Sequence, residues 1–182
     1  MKRLLAMLLI PLLSACTQHA VVSNDLDYPY NLPPVGSTLS LNKAVSVPAG
    51  EVRVFLQHGE VFRKSDFDRY EPSCSLELRK LADVPRSIEP DQFIVTKVQR
   101  LMQQVVDNRP PHSGLMKVGF DDGGGKPMVV HGYHLWLGSD NQPDVMRMTC
   151  RGFFDDINRA EPPSLNDVTK SLGDYAVLNF AI

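Results

Sequence analysis

Pro48-Ala49-Gly50-Glu51-Val52-Arg53-Val54-Phe55-Leu56-Gln57-His58-Gly59-Glu60-Val61-Phe62 is the stretch that sets the expected fold class. Pro48-Ala49-Gly50 reads as a turn. After it, Val52, Val54 and Leu56 alternate with Arg53 and Gln57, the period-two pattern of a strand with one face buried. Gly59 marks a reversal before Val61 and Phe62. The same texture recurs outward from this hairpin, with strands expected at Ser73 to Leu81, Gln92 to Val98, Leu115 to Phe120, Pro127 to Leu137, Val145 to Phe154 and Tyr175 to Phe180. Short strands separated by turn clusters favour a mainly β, antiparallel architecture over βαβ units, either a β-sandwich or an open barrel with one or two short helices.

Two segments invite helices. Ile94, Val98, Leu101, Met102 and Val105 also fall at helical spacing, and Gln99 to Val106 contains good helix formers, so a strand running into a helix is expected there. Near the end, Pro162-Pro163-Ser164-Leu165-Asn166-Asp167 has the form of a helix start, with Ser164 as N-cap and Asp167 at the positive end of the dipole. Gly173 would stop it.

The N-terminus is of another kind. Met1-Lys2-Arg3 precedes an apolar run, Leu4 to Leu13, that is about half the roughly 20 residues a membrane-spanning helix needs. Basic residues, a short apolar core and small residues form a secretory signal. Its ending, Leu13-Ser14-Ala15-Cys16, resembles the lipobox of bacterial lipoprotein precursors. The resemblance implies removal of residues 1–15 as a signal peptide and acylation of Cys16, including palmitate-type chains. At ~0.8 kcal/mol per buried CH₂, such a multi-chain anchor is practically permanent. Thr17, where retained lipoproteins carry aspartate, implies transfer to the outer membrane, with the domain facing the periplasm. Residues 16–47, with Tyr28-Pro29-Tyr30-Asn31-Leu32-Pro33-Pro34-Val35-Gly36, read as a lipidated tether of ~30 Å reach. Tyr28 and Tyr30 could equally pack on the domain. Residues 48–182 are expected to form a single β-rich domain. Its Val54-Phe55-Leu56-Gln57, Pro72-Ser73-Cys74-Ser75-Leu76-Glu77 and Pro90-Asp91-Gln92-Phe93 are similar to segments of uncharacterised proteobacterial envelope lipoproteins, a resemblance that carries no activity. Signatures of lipoprotein lysozyme inhibitors or secretion-system lipoproteins are lacking.

The chain has 182 residues, 19 Lys and Arg against 21 Asp and Glu, and a net charge of −2. Loss of Lys2 and Arg3 with the signal leaves 17 basic against 21 acidic side chains, a formal charge of −4. No overall basic footprint remains, which argues against nucleic acid as partner. With Cys16 acylated, Cys74 and Cys150 remain in an oxidising compartment, and the simplest arithmetic is one disulfide. Cys74, Leu76 and Leu78 share one strand face, with Ser75, Glu77 and Arg79 on the other. Met146, Met148 and Cys150 share one face likewise, with Arg147, Thr149 and Arg151 opposite. Both sulfurs therefore point to apolar sides. Two buried free thiols are the alternative, and a redox pair lacks the close Cys-x-x-Cys spacing.

Catalytic and metal signatures are weak. Asp121-Asp122-Gly123-Gly124-Gly125-Lys126 lacks P-loop spacing and the following Ser or Thr, offers too few oxygens for calcium, and reads as a hairpin loop. His131 and His134, three apart on a strand, point to opposite faces, and His58 or His112 cannot be placed beside them, so no metal site or cofactor is expected. Ser113-Gly114 after His112 is no nucleophile motif. Asp121-Asp122 and Asp155-Asp156 would do acid–base work only if burial raised one pKa. In the strand from His131 to Gly138, Trp136 and His134 share one face. That face either lies under the C-terminal helix or forms a partner surface. The expected function is a non-enzymatic binding, assembly or accessory module for another envelope component, most simply a protein. The competing expectations are an envelope hydrolase acting on peptidoglycan or lipid, and a carrier of a small apolar ligand in a hollow barrel.

Overall fold

A computed structural model of the chain describes residues 25–104 and 128–181. Cys16, the loop 121–126, the expected strand 115–120, His112 and Ser113 lie outside the described residues. The elements in chain order are β1 (Thr38–Leu41), β2 (Val45–Val47), β3 (Arg53–Gln57), β4 (Glu60–Phe62), β5 (Ser73–Leu78), β6 (Arg86–Ile88), β7 (Asp91–Gln104), β8 (Met128–Gly138), β9 (Val145–Arg151), β10 (Asp155–Asp156), α1 (Leu165–Leu172) and β11 (Ala176–Asn179).

The strands form one antiparallel sheet in the order β11-β1-β7-β8-β9-β5-β3-β4, with β10 paired to β8, and β2 and β6 form a separate two-stranded sheet. The large sheet curls strongly into a half-barrel, the open-barrel form of the expected architecture. Its apolar face is filled by Leu39, Leu56, Leu76, Phe93, Tyr133, Leu135 and Met148, together with Val45 and Ile88 of the small sheet and Val168 and Leu172 of α1. The expected hairpin is β3–β4: Gln57 opposes Glu60, and His58 and Gly59 both take positive φ, 52° and 72°. That is the two-residue turn whose twist matches the strands. Gly59 also abuts the helix end, and a Cβ on Gly173 would lie 2.4 Å from the Gly59 Cα.

Cys74 and Cys150 are bonded, and they sit directly opposite each other on β5 and β9 with Cα atoms 4.0 Å apart. Helix α1 is capped as its sequence indicates. Ser164 Oγ accepts from the Asp167 backbone N–H at 3.1 Å, the Ser164 N–H donates to the Asp167 carboxylate at 3.0 Å, and Gly173 ends the helix.

Four boundaries differ from expectation. Residues 38–47 are not tether. β1 and β2 are only four and three residues long, too short for alternation to register, yet Leu39, Leu41, Val45 and Val47 are core residues. Residues 25–36 also dock, with the Asn166 N–H donating to the Leu26 carbonyl and the Asn166 side-chain amide to Asp27. Residues 99–104 are not helical but continue β7, paired with β8 from Ile94↔Gly138 to Gln104↔Val129. The expected strands 73–81 and 145–154 end earlier, at Leu78 and Arg151.

Candidate functional site

The face of the sheet turned away from the apolar core is polar, and strand register organises it into rows. One row crosses five strands: Arg53 (β3), Glu77 (β5), Arg147 (β9), Trp136 (β8) and Lys97 (β7). The next holds Phe55, Ser75, Thr149, His134 and Gln99, and a third sets Ser73 against Arg151 and Arg151 against Gly132. Period-two alternation puts these residues opposite the buried Val54, Leu76, Met148 and Leu135 and the partly buried Val98.

Glu77 is the carboxylate at the centre. It accepts from Arg53 at 2.8 Å and from Arg147 at 2.7 Å. Burial opposes its ionisation, but hydrogen bonds from Arg147 and Arg53 and their charges outweigh that and hold it below its ordinary value of 4.5. Trp136 lies between two cations, with Lys97 5.7 Å and Arg147 5.4 Å from its ring centroid. His134 bonds Thr149 Oγ1 through Nδ1 at 2.8 Å. Burial first, and the charge of Arg147 next, push its imidazole below the usual histidine value. Trp136 and His134 are thus half-buried on the non-core face. The polar band covers them in place of the C-terminal helix.

Beyond Arg53 the face deepens into a recess of about 340 Å³ lined by Arg53, Lys64, Arg69, Arg151 and the rings of Phe55 and Phe67, among others. Phe55 and Phe67 stack at 4.3 Å with planes 9° apart, and the Arg151 guanidinium lies 5.9 Å and 5.5 Å from their centroids. Loop 63–72 brings Lys64, Phe67 and Arg69 here because the buried amide of Gln57 grips its backbone. Nε2 donates to the Asp68 carbonyl and Oε1 accepts from the Asp68 N–H, both at 2.9 Å. His58 and Glu71 pair at the loop's far end. Gly132 is required beside Arg151, since a Cβ there would lie 2.3 Å from the Cys150 carbonyl and 3.2 Å from Arg151 Cγ.

The electrostatics are one-sided. Among the described residues no carboxylate lies within ion-pair distance of Lys64, Arg69 or Arg151. Burial, then the charges of Arg53 and Arg69, depress the Arg151 pKa from its ordinary value. A guanidinium stays protonated regardless, so among the described residues the recess gathers positive charge without a carboxylate partner for Lys64, Arg69 or Arg151, on a chain whose net charge is negative.

The other sequence candidates do not assemble. His131 and His134 occupy opposite faces of β8. His131 lines a small recess with Tyr30 and Arg100. Asp155 pairs with Arg159 at 3.7 Å. Among the described residues, no cluster of three or more His, Cys, Asp or Glu is placed to hold a metal ion. The sequence reading missed Arg53, Lys64, Arg69 and Arg151. Its one available signal was that Arg53, Arg147 and Arg151 alternate with core residues on their strands. Compared with protein families, curated proteins and solved structures, the chain matches none.

Proposed function

We propose that the chain is a lipoprotein anchored to the outer membrane through Cys16, and that its β-domain is a non-enzymatic binding module whose non-core face docks an anionic component of the envelope. The observation that carries the reading is Arg151, held over the stacked Phe55 and Phe67 beside Arg53 and Arg69 with no carboxylate partner among the described residues. Placing a partly buried guanidinium among like charges costs stability, and an incoming anion offsets that cost. The rings and the Gln57-gripped loop hold the cations in place before binding, which reduces the ordering entropy of association.

The reading of a small apolar ligand inside the barrel is disfavoured, because Phe93, Tyr133, Leu135 and Met148 fill the inside of the curl. Among the described residues the hydrolase reading has no residue set to rest on, since His131 and His134 lie on opposite faces of β8 and Asp155 pairs with Arg159.

Anchoring and binding are tested together. In-cell crosslinking of the full-length chain, followed by affinity purification, is compared with Cys16→Ala. The expected result is that Cys16→Ala loses lipid by intact mass, leaves the membrane fraction, and no longer enriches an envelope component that the wild-type chain captures. A variant that stays membrane-bound with the same captured set would contradict the anchor.

A further inference from the structure

Resting on the reading of this face as the binding surface, we propose that the recess between β3, β9 and loop 63–72 binds a phosphoryl group in its dianionic form, carried by a phosphomonoester of the envelope. Charge is the first argument. Arg151, Arg69 and Lys64 have no carboxylate partner among the described residues, and Arg53 shares Glu77 with Arg147. A carboxylate or a sulfate ester brings one negative charge and leaves most of this uncompensated, whereas a phosphomonoester brings close to two at neutral pH.

Donor geometry is the second argument. Three of the four cations are arginines, whose planar forks match the oxygens of a phosphoryl group. Size is the third, because about 340 Å³ leaves room for part of the group that bears the phosphate, with Phe55 and Phe67 as the apolar wall. A protein, the simplest partner expected from the sequence, would meet this charge with singly charged carboxylates and fit it less well.

The test is calorimetric titration of the full-length chain in neutral detergent at low salt. The probes are glucosamine 1-phosphate, glycerol 3-phosphate, acetate and methyl sulfate. The expected result is that at least one phosphomonoester binds about tenfold or more tightly than acetate and methyl sulfate, and that its binding strengthens as pH rises through its second ionisation near ~6. Because Arg151 packs inside the fold, the variant is Lys64→Gln/Arg69→Gln on the loop. It should weaken phosphomonoester binding by about tenfold, while Lys43→Gln, remote from the recess, should leave it unchanged.

Preference for glucosamine 1-phosphate would identify a phosphorylated saccharide as the source, and preference for glycerol 3-phosphate a lipid headgroup. Either supports the proposal. Acetate or methyl sulfate binding as tightly as both phosphomonoesters, or a double variant indistinguishable from wild type, overturns it. If those results came with continued capture of an envelope component through this face, the phosphoryl assignment would fall and the binding-surface reading would stand.

Discussion

Replacing the bridge by Cys74→Ala/Cys150→Ala is expected to lower the unfolding free energy by about 4 kcal/mol. The two cysteines are 76 residues apart in sequence, and the loop they close contains β6, β7 and β8. In the chain-entropy description, most of the bridge's effect is to restrict the unfolded chain. The position adds to this, because both residues are fully buried in the centre of the sheet, where β5 and β9 carry the site row from β3 across to β8. Urea unfolding of the double variant against wild type measures the effect, and a melting temperature lower by roughly 10 °C should accompany it. A difference under about 1 kcal/mol would mean that the strand pairing alone supplies the constraint.

Glu77→Gln is expected to cost about 2–3 kcal/mol, below the usual value for breaking a buried pair because Arg53 is over a third exposed and solvent screens part of the charge. The variant leaves Arg53 and Arg147 facing each other across β5 without an anion between them. The sign of the pH dependence follows from the direction of the shift. The Glu77 carboxyl is held below its ordinary 4.5 in the folded protein, so its contribution is fully present above that pH and fades as pH falls toward and through the lower folded value. The stability gap between wild type and Glu77→Gln should therefore be constant from pH 5 to 7, the range above the ordinary glutamate value, and narrow on further acidification. A gap that widened toward acid would contradict the arrangement.

Local pattern made part of this molecule legible in its sequence. The β3–β4 hairpin, the opposed cysteines and the capped helix at Ser164 each depend on neighbours within a few residues or on strict alternation. The misread segment, 99–104, has a local cause. A bulge between Val95 and Lys97 lets Val95 pair with Leu137 and Val98 with Leu135. Two core-facing positions thus fall three residues apart, and Ile94 and Met102 of the apparent helical pattern are exposed rather than sharing the core face with Val98. Helix propensity is worth only a fraction of a kcal/mol per residue, and the ten-residue pairing with β8 overrides it. The site was hidden for a different reason. Arg53, Glu77 and Arg147 form one row only because β5 lies between β3 and β9, and strand order cannot be read from alternation. Loop 63–72 carries no periodic signal at all, yet supplies Lys64, Phe67 and Arg69.

The most direct test of the account is residue-specific photocrosslinking in cells, with the reactive side chain placed in the full-length chain at 64, 69 or 97 on the cationic face, or at 43 or 177 away from it. The expected result is that the same envelope component is captured from 64 and 69, more weakly from 97, and not from 43 or 177, and that high salt suppresses the capture. Capture from 43 or 177 with none from 64 and 69 would place the binding surface elsewhere and contradict the account.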